Sequence, residues 1–203
     1  MPSIKLILQN LTYNLAWYKA YKLYDFFKLW RIVIFLSRKL KLITEILNKK
    51  EKNFEYKNFD LGFPNSLAYL ARKELKKIEQ YSEDRIEKSI EYIQLINNKK
   101  IEVLFHTITE NDYNWFRFPI LLESEEEKNK LISLWRKNNI IFWNQWSGSN
   151  IIPVWIDLEK AQYKIWSCPV AEDLSKRILT LPNHKLITKK DLEIVIEVLN
   201  NFK

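Results

Sequence analysis

Glycine is almost missing from this chain. Its 203 residues include two, Gly62 and Gly148, where about 7% is usual, so a Gly-rich loop around a phosphate or dinucleotide has nothing to be built from. Cysteine is reduced to Cys168, which excludes an internal disulfide and any multi-cysteine metal site and fits a reducing compartment. The two histidines, His106 and His184, have no metal-ligand spacing to each other or to Cys168. Long apolar runs are absent too. Lys and Arg interrupt every hydrophobic stretch of the N-terminal region before about 18 residues accumulate, so no membrane span is predicted. Met1 to Asn10 lacks the basic head, apolar core and small-residue cleavage site of a secretory signal, and the cytoplasm is the expected compartment.

What is present points to a folded chain with an uneven charge. Hydrophobic residues make up 47% of the sequence and aromatics 14%, a composition that can bury one substantial core or two small ones. The net charge is +8, and residues 1–41 hold eight cations against the single carboxylate of Asp25, which puts +7 in that segment. An electrostatic partner is therefore to be sought there.

Three regions separate by texture: 1–59, 60–98 and 99–203. The first is basic, aromatic and free of Gly and Pro over "LTYNLAWYKAYKLYDFFKLWRIVIFLSRKL", which predicts helix with apolar residues on more than one side, followed by the polar connector "NKKEKNFEYKNFD". In the second, Leu67, Leu70, Ala71, Leu75, Ile78, Ile86, Ile90 and Ile93 recur every three or four residues. That spacing predicts one long amphipathic helix from Pro64-Asn65-Ser66 to Asn97-Asn98. The third alternates strand and helix signals from about Val103. "NWFRFPILLE" reads as a strand, and Ser124 with Glu127 three residues later forms a capping box for the helix "EEEKNKLISLWRKNN". "IIFWNQW" reads as a second strand. A helix starting at Pro169 is expected to bury a face of Val170, Leu174 and Ile178. "ILTLP" follows as a short strand, and Thr188 opens a last helix with Leu192, Val195, Ile196, Leu199 and Phe202 on one stripe. The predicted fold class is α/β: a helical N-terminal segment, a long bridging helix and a small α/β domain with helices packed on a sheet.

Few residues carry chemistry by themselves. Cys168 at a helix start has a setting that lowers thiol pKa values, but no base is placed beside it and no orienting Asn or Asp is identifiable, so its expected role is structural. His184, just after Pro182, reads as a polar turn residue. Glu123, Glu125, Glu126 and Glu127 belong near a helix N-terminus, where they complement the dipole. Trp143, Trp146 and Trp155, in the loop "WNQWSGSNIIPVW", could line a pocket or meet a partner, and a local core cluster is the competing reading. No catalytic residue and no metal ligand is nominated.

One stretch points to a family. "SCPVAEDLSKRILTLPNHKLITKKDLEIVIEVL" resembles the C-terminal end of the DegT/DnrJ/StrS-type aminotransferases, with Cys-Pro-x-Ala-Glu, then Ser-x-Arg, a Leu-Pro-x-His turn and a terminal helix in the same order. "FRFPILLESEEEKNKLISLWRKNNIIFWNQW" is similar to the family's small-domain strand and helix. "GFPNSLAYLARKELKKIEQYSEDRIEKSIEY" is similar to the helix bridging its two domains. The resemblance covers about residues 60–203 and implies a small C-terminal domain like that of fold-type I aminotransferases.

It also implies dependence on pyridoxal phosphate and action on keto-sugars attached to nucleotides. The Schiff-base lysine, the acidic partner of the pyridinium and the phosphate donors lie in the family's large domain, ahead of the matching region. No lysine here takes that role, and no cofactor is expected in this chain alone. Two departures stand out: the position before Ser167 often carries Gly in relatives and is Trp166 here, and "WSGSNIIP" lacks the Pro-x-His that many relatives place near the substrate. Among aligned residues, Asn65 and Arg117 are the candidates for a phosphate or carboxylate contact, with a structural role as the alternative.

Three functions follow. The first is the C-terminal half of a nucleotide-sugar aminotransferase, not catalytic alone. The second is half of a split aminotransferase completed in trans by a separate large-domain chain, with a homodimer as the other expected assembly. The third is a binding protein that sets its basic aromatic N-terminal segment on an anionic membrane surface or on nucleic acid.

Overall fold

The computed structural model of the chain describes residues 3–23, 29–43, 62–104, 115–138, 151–153 and 156–203. It divides into two compact units, Met1–Lys76 and Lys77–Lys203.

The N-terminal unit opens with helix α1 (Ile4–Lys22), started by Ser3, whose Oγ accepts the N–H of Leu6 at 3.3 Å. Helix α2 (Leu29–Lys39) packs against α1. It ends in a Schellman motif: Leu42 N–H donates to Ser37 O at 2.9 Å and Lys41 N–H to Arg38 O at 3.0 Å. Lys41 takes the left-handed position of that motif with φ 52°, a place glycine usually fills. The turn is tied back to α1 by Gln9, whose Nε2 donates to Lys41 O at 2.7 Å, and by the Thr12 hydroxyl donating to Leu42 O. Among the described residues of this pair and its closing turn, Ala20, Ile34 and Ile43 are the buried apolar ones.

Helix α3 (Asn65–Leu75) follows in this unit and buries none of its residues. Helix α4 (Ile78–Leu95) begins the C-terminal unit. Where the apolar spacing predicts one helix, the structure has a turn at Lys76–Lys77. Neither Gly nor Pro causes it. Arg72 and Lys76, and likewise Lys73 and Lys77, are like charges four residues apart, which repel along a continuing helix and suit a helix C-terminus.

Among the described residues the sheet has three antiparallel strands in the order β1 (Ile101–Val103), β2 (Arg117–Leu122), β3 (Ile178–Pro182). β1 is absent from the sequence reading; at three residues it is too short to show a period. Pro119 sits within the central strand, one step past the last β1 pair, Val103↔Ile120, so its missing N–H lies beyond the reach of that edge. Phe118, Ile120 and Leu122 alternate onto one face and are buried with Leu179 and Leu181 of β3.

Helices α5 (Glu125–Lys137) and α7 (Lys189–Asn200) complete this core with Leu131, Trp135, Leu192, Val195, Ile196 and Leu199, and Phe202 follows α7. Thr188 and Asp191 cap α7 reciprocally, each side chain bonding the other's backbone N–H. At α5 only half of the expected box forms. Ser124 Oγ accepts Glu127 N–H at 3.2 Å, while the Glu127 carboxylate turns to Lys100 Nζ at 2.9 Å.

Polar side chains join α4 to the distant end of the chain. Asn98 Nδ2 donates to Leu199 O and Phe202 O at 2.8 and 2.7 Å, and Asn200 Nδ2 donates to Leu95 O at 2.8 Å. Tyr92, fully buried, donates its hydroxyl to Pro182 O at 2.9 Å. Burial above all, with Glu91 nearby, pushes this phenol far above its ordinary pKa, so it remains a donor. The result is a mixed fold of helices around a small antiparallel sheet.

Candidate functional site

The segment that opens helix α6 (Pro169–Arg177) is organised around a carboxylate. Glu172, one turn into the helix, is buried at 4% exposure. Its Oε1 accepts the Tyr163 hydroxyl at 2.5 Å, the Trp166 N–H at 2.8 Å and the Cys168 N–H at 3.4 Å. Cys168 occupies the N-cap position but offers no side-chain cap, so a glutamate from inside the helix folds back to satisfy the N–H groups that precede it. The Tyr163 hydroxyl chiefly holds the Glu172 carboxyl below the usual range, against the opposing effect of burial; the Cys168 and Trp166 N–H groups and Lys176 add to it. Burial, then the bond to Glu172, raises the Tyr163 phenol.

This helix departs from the expected packing. Val170 is 72% exposed and Leu174 37%, while Glu172 and Ser175 are the buried residues. The apolar stripe therefore faces outward, and the polar seam faces α5. Lys128, itself buried, donates Nζ to Ser175 O at 3.0 Å, and Ser175 Oγ donates to Glu172 O at 2.8 Å. Burial lowers the Lys128 pKa, with Glu125 opposing. An ammonium on the last-turn carbonyls of a helix complements its dipole. Each inward polar group has a partner, which is the condition for burying it.

Trp166 shows what glycine's absence entails. Its φ is 72°, the left-handed region that suits Gly. The Glu172 carboxylate holds the Trp166 N–H, and the indole stands 75% exposed with Lys176 Nζ 5.9 Å from its ring.

A second cluster gathers where α4 meets the start of β2 and the turn after β3. Asn183, fully buried, donates Nδ2 to Ser89 Oγ at 2.9 Å and to Trp115 O at 3.0 Å. Next to it, His184 Nδ1 accepts the Leu186 N–H at 3.3 Å, closing the turn. Burial, then Lys88, Arg117 and Arg85, holds this imidazole below its ordinary pKa, with Asp84 opposing. Lys88 pairs with Asp84 at 2.5 Å, and the Arg85 guanidinium lies 5.0 Å from the Phe116 ring. Arg117 thus stands half-buried in a corner rich in cations. Asn65, exposed at the first position of α3, belongs to the other unit.

Cys168 is exposed and unbridged. Glu125 and Glu126 are exposed in the first turn of α5, and Glu126 pairs with Lys130 at 2.9 Å. His106, the strand "IIFWNQW" and Trp143, Trp146 and Trp155 of the aromatic loop lie outside the described residues. Among those described, no group of His, Cys, Asp and Glu is placed to hold a metal ion, and no helix is long and apolar enough to cross a membrane. A surface groove of about 640 Å³ runs between α5 and Asn201–Lys203, and contains none of Arg117, Cys168 or His184. Sequence reasoning singled out neither Glu172 nor Tyr163. The available signal was a Glu four residues after Cys168, in reach of the N–H groups at the helix start.

Comparison with known proteins places the chain. The family model described as the DegT/DnrJ/EryC1/StrS aminotransferase family matches residues 38–200. None of the curated proteins compared with the chain matches it. Among solved structures, a DegT DnrJ EryC1 StrS aminotransferase from Brucella abortus is similar at 20% identity and a TM-score of 0.50, over 64% of this chain and 33% of that one. A Streptococcus pneumoniae structure described as a sugar aminotransferase, Spr1654, in its apo form, is similar at 18% identity and a TM-score of 0.52, over 63% of this chain and 32% of that one. The chain spans about a third of the length of these solved structures.

Proposed function

Because this chain belongs to the DegT/DnrJ/EryC1/StrS aminotransferase family, we propose that it is the C-terminal part of a nucleotide-sugar aminotransferase and does not transaminate alone. The observation that carries this reading is the partial match, in which most of the chain aligns with a third of each solved relative. The three-stranded sheet with its helices then corresponds to the family's small domain, and α4 to its bridging helix. Arg117, in its cationic corner beside His184, is the residue we assign to a phosphate or carboxylate of the substrate; Asn65 is the second candidate.

Pyridoxal phosphate supplies the family's amino-group chemistry. The described residues do not fit its site. The cofactor requires a lysine free to condense with it, an acid for its ring nitrogen and backbone donors for its phosphate. The buried lysines among the described residues are Lys88 and Lys128, and they are engaged by Asp84 and by the Ser175 carbonyl. The reaction then belongs to an assembled protein that includes the large domain.

Incubating the purified chain with pyridoxal phosphate, reducing with borohydride and weighing the product tests this. The expected result is scattered, substoichiometric labelling of exposed lysines. A single lysine modified at full yield overturns the reading.

A further inference from the structure

The family match begins at residue 38, so α1 and most of α2 lie outside it. Both helices leave large apolar side chains exposed. On α2, Ile34 and Ser37 are buried. At 100° per residue, Ile32, Phe35 and Leu36 fall on the opposite side, with Leu40, in the turn that follows, at its edge, and all four are exposed, Phe35 at 62%. Ile4, Leu8, Leu15 and Tyr18 of α1 share a second outward stripe and are likewise exposed.

The charge is equally one-sided. Every cation among the described residues of this hairpin (Lys5, Lys19, Lys22, Arg31, Arg38, Lys39, Lys41) is exposed, and no Asp or Glu occurs among them. Arg31 and Arg38, seven residues apart, flank the α2 stripe on one side, and Lys39 emerges within it.

We propose that the α1–α2 hairpin docks peripherally on an anionic lipid surface, with Ile32, Phe35, Leu36 and Leu40 at the acyl boundary and the surrounding Lys and Arg at the headgroups. Charge complementarity selects this occupant. Apolar exposure alone would serve a second copy of the chain, but that copy brings the same unbalanced cations and is repelled. Nucleic acid would satisfy the cations but offers nothing to four large apolar side chains on one face. A lipid headgroup region above hydrocarbon answers both, and long Lys and Arg side chains reach the headgroups while their stems lie along apolar surface. Neither helix crosses the membrane.

The test is co-sedimentation of the full chain with vesicles of phosphatidylcholine alone and of phosphatidylcholine with about 30% phosphatidylserine. Binding is expected only to the anionic vesicles at about 50 mM salt, with release by about 500 mM. Arg31→Gln and Arg38→Gln should each weaken it about fivefold. Phe35→Asp should abolish it while circular dichroism and the thermal midpoint stay unchanged, because the side chain is exposed. Equal binding to neutral vesicles, binding that ignores salt, or full binding by Phe35→Asp overturns the proposal. So does light scattering that shows concentration-dependent self-association reversed by Phe35→Asp, which would seat a second copy on this face. Displacement from vesicles by single-stranded RNA, with RNA binding untouched by Phe35→Asp, would overturn it in favour of nucleic acid.

Discussion

Helices α6 and α7 have the same kind of sequence and opposite packing. Both are short, both open at an identifiable start, and both space their apolar residues three or four apart. α7 buries its stripe of Leu192, Val195, Ile196 and Leu199. α6 leaves Val170 and Leu174 outside and buries Glu172 and Ser175. The difference lies in what each helix meets. α7 faces the apolar side of the sheet, where Phe118, Ile120 and Leu181 offer nothing to a polar group. α6 meets Tyr163, two loop N–H groups and Lys128, a set of donors that leaves the inward polar atoms satisfied. Periodicity defines a face; the supply of hydrogen-bond partners decides whether that face or its opposite turns inward.

The contrast can be broken at its apolar end first. Leu199→Ala removes a fully buried side chain of α7 and should cost about 2–5 kcal/mol, read as a lower urea midpoint. Val170→Ser in α6, at an apolar position of the same kind, should stay within about 0.5 kcal/mol of the parent because the side chain is already in water. Equal losses at the two sites would refute the inverted packing.

Next in size is Glu172→Gln, which leaves the Tyr163 hydroxyl and the Trp166 N–H facing a neutral amide. Its midpoint should fall between those two variants, and its effect should depend on pH. The folded-state pKa of Glu172 is lowered, so the carboxylate's contribution is fully present above the unfolded-state value and is lost as pH falls through the folded-state value. The parent should therefore exceed Glu172→Gln at neutral pH and converge on it as pH falls below the ordinary carboxylate range. A gap that is constant with pH would remove the carboxylate from the account.

The remaining effect expected is a gain. Trp166→Gly relieves a left-handed backbone and loses little packing from an exposed indole, so stability should rise by about 0.5–1 kcal/mol despite the extra freedom of the unfolded chain. A loss of that size would mean that the indole has a partner.

The elements built on local rules were legible in the sequence. β2 and β3 follow from β-branched and aromatic composition, α7 from its stripe and the Thr188 cap, and the start of α5 from Ser124. What escaped depends on groups distant in the chain. β1 exists because β2 offers it an edge. The second half of the Ser124 box is lost because Lys100 attracts Glu127. The inward turn of Glu172 needs Lys128, which lies 47 residues from Ser175 in sequence. The corner around Arg117 was visible only as single residues until α4 and the turn after β3 brought Arg85, Lys88 and His184 to it.

The asparagine contacts between α4 and the last residues have a consequence for the order in which the C-terminal unit is made. Asn98 bonds Phe202 across 104 residues, Asn200 bonds Leu95 across 105, and Tyr92 reaches Pro182 across 90. Loops of that length close late, because the chain loses the entropy of closure before any contact compensates it. On a ribosome, α4 would emerge with its buried side uncovered and wait there until α7 had cleared the exit tunnel. Nascent chains arrested before Leu199 should therefore be cut by protease along α4, and chains arrested well beyond Phe202 should resist.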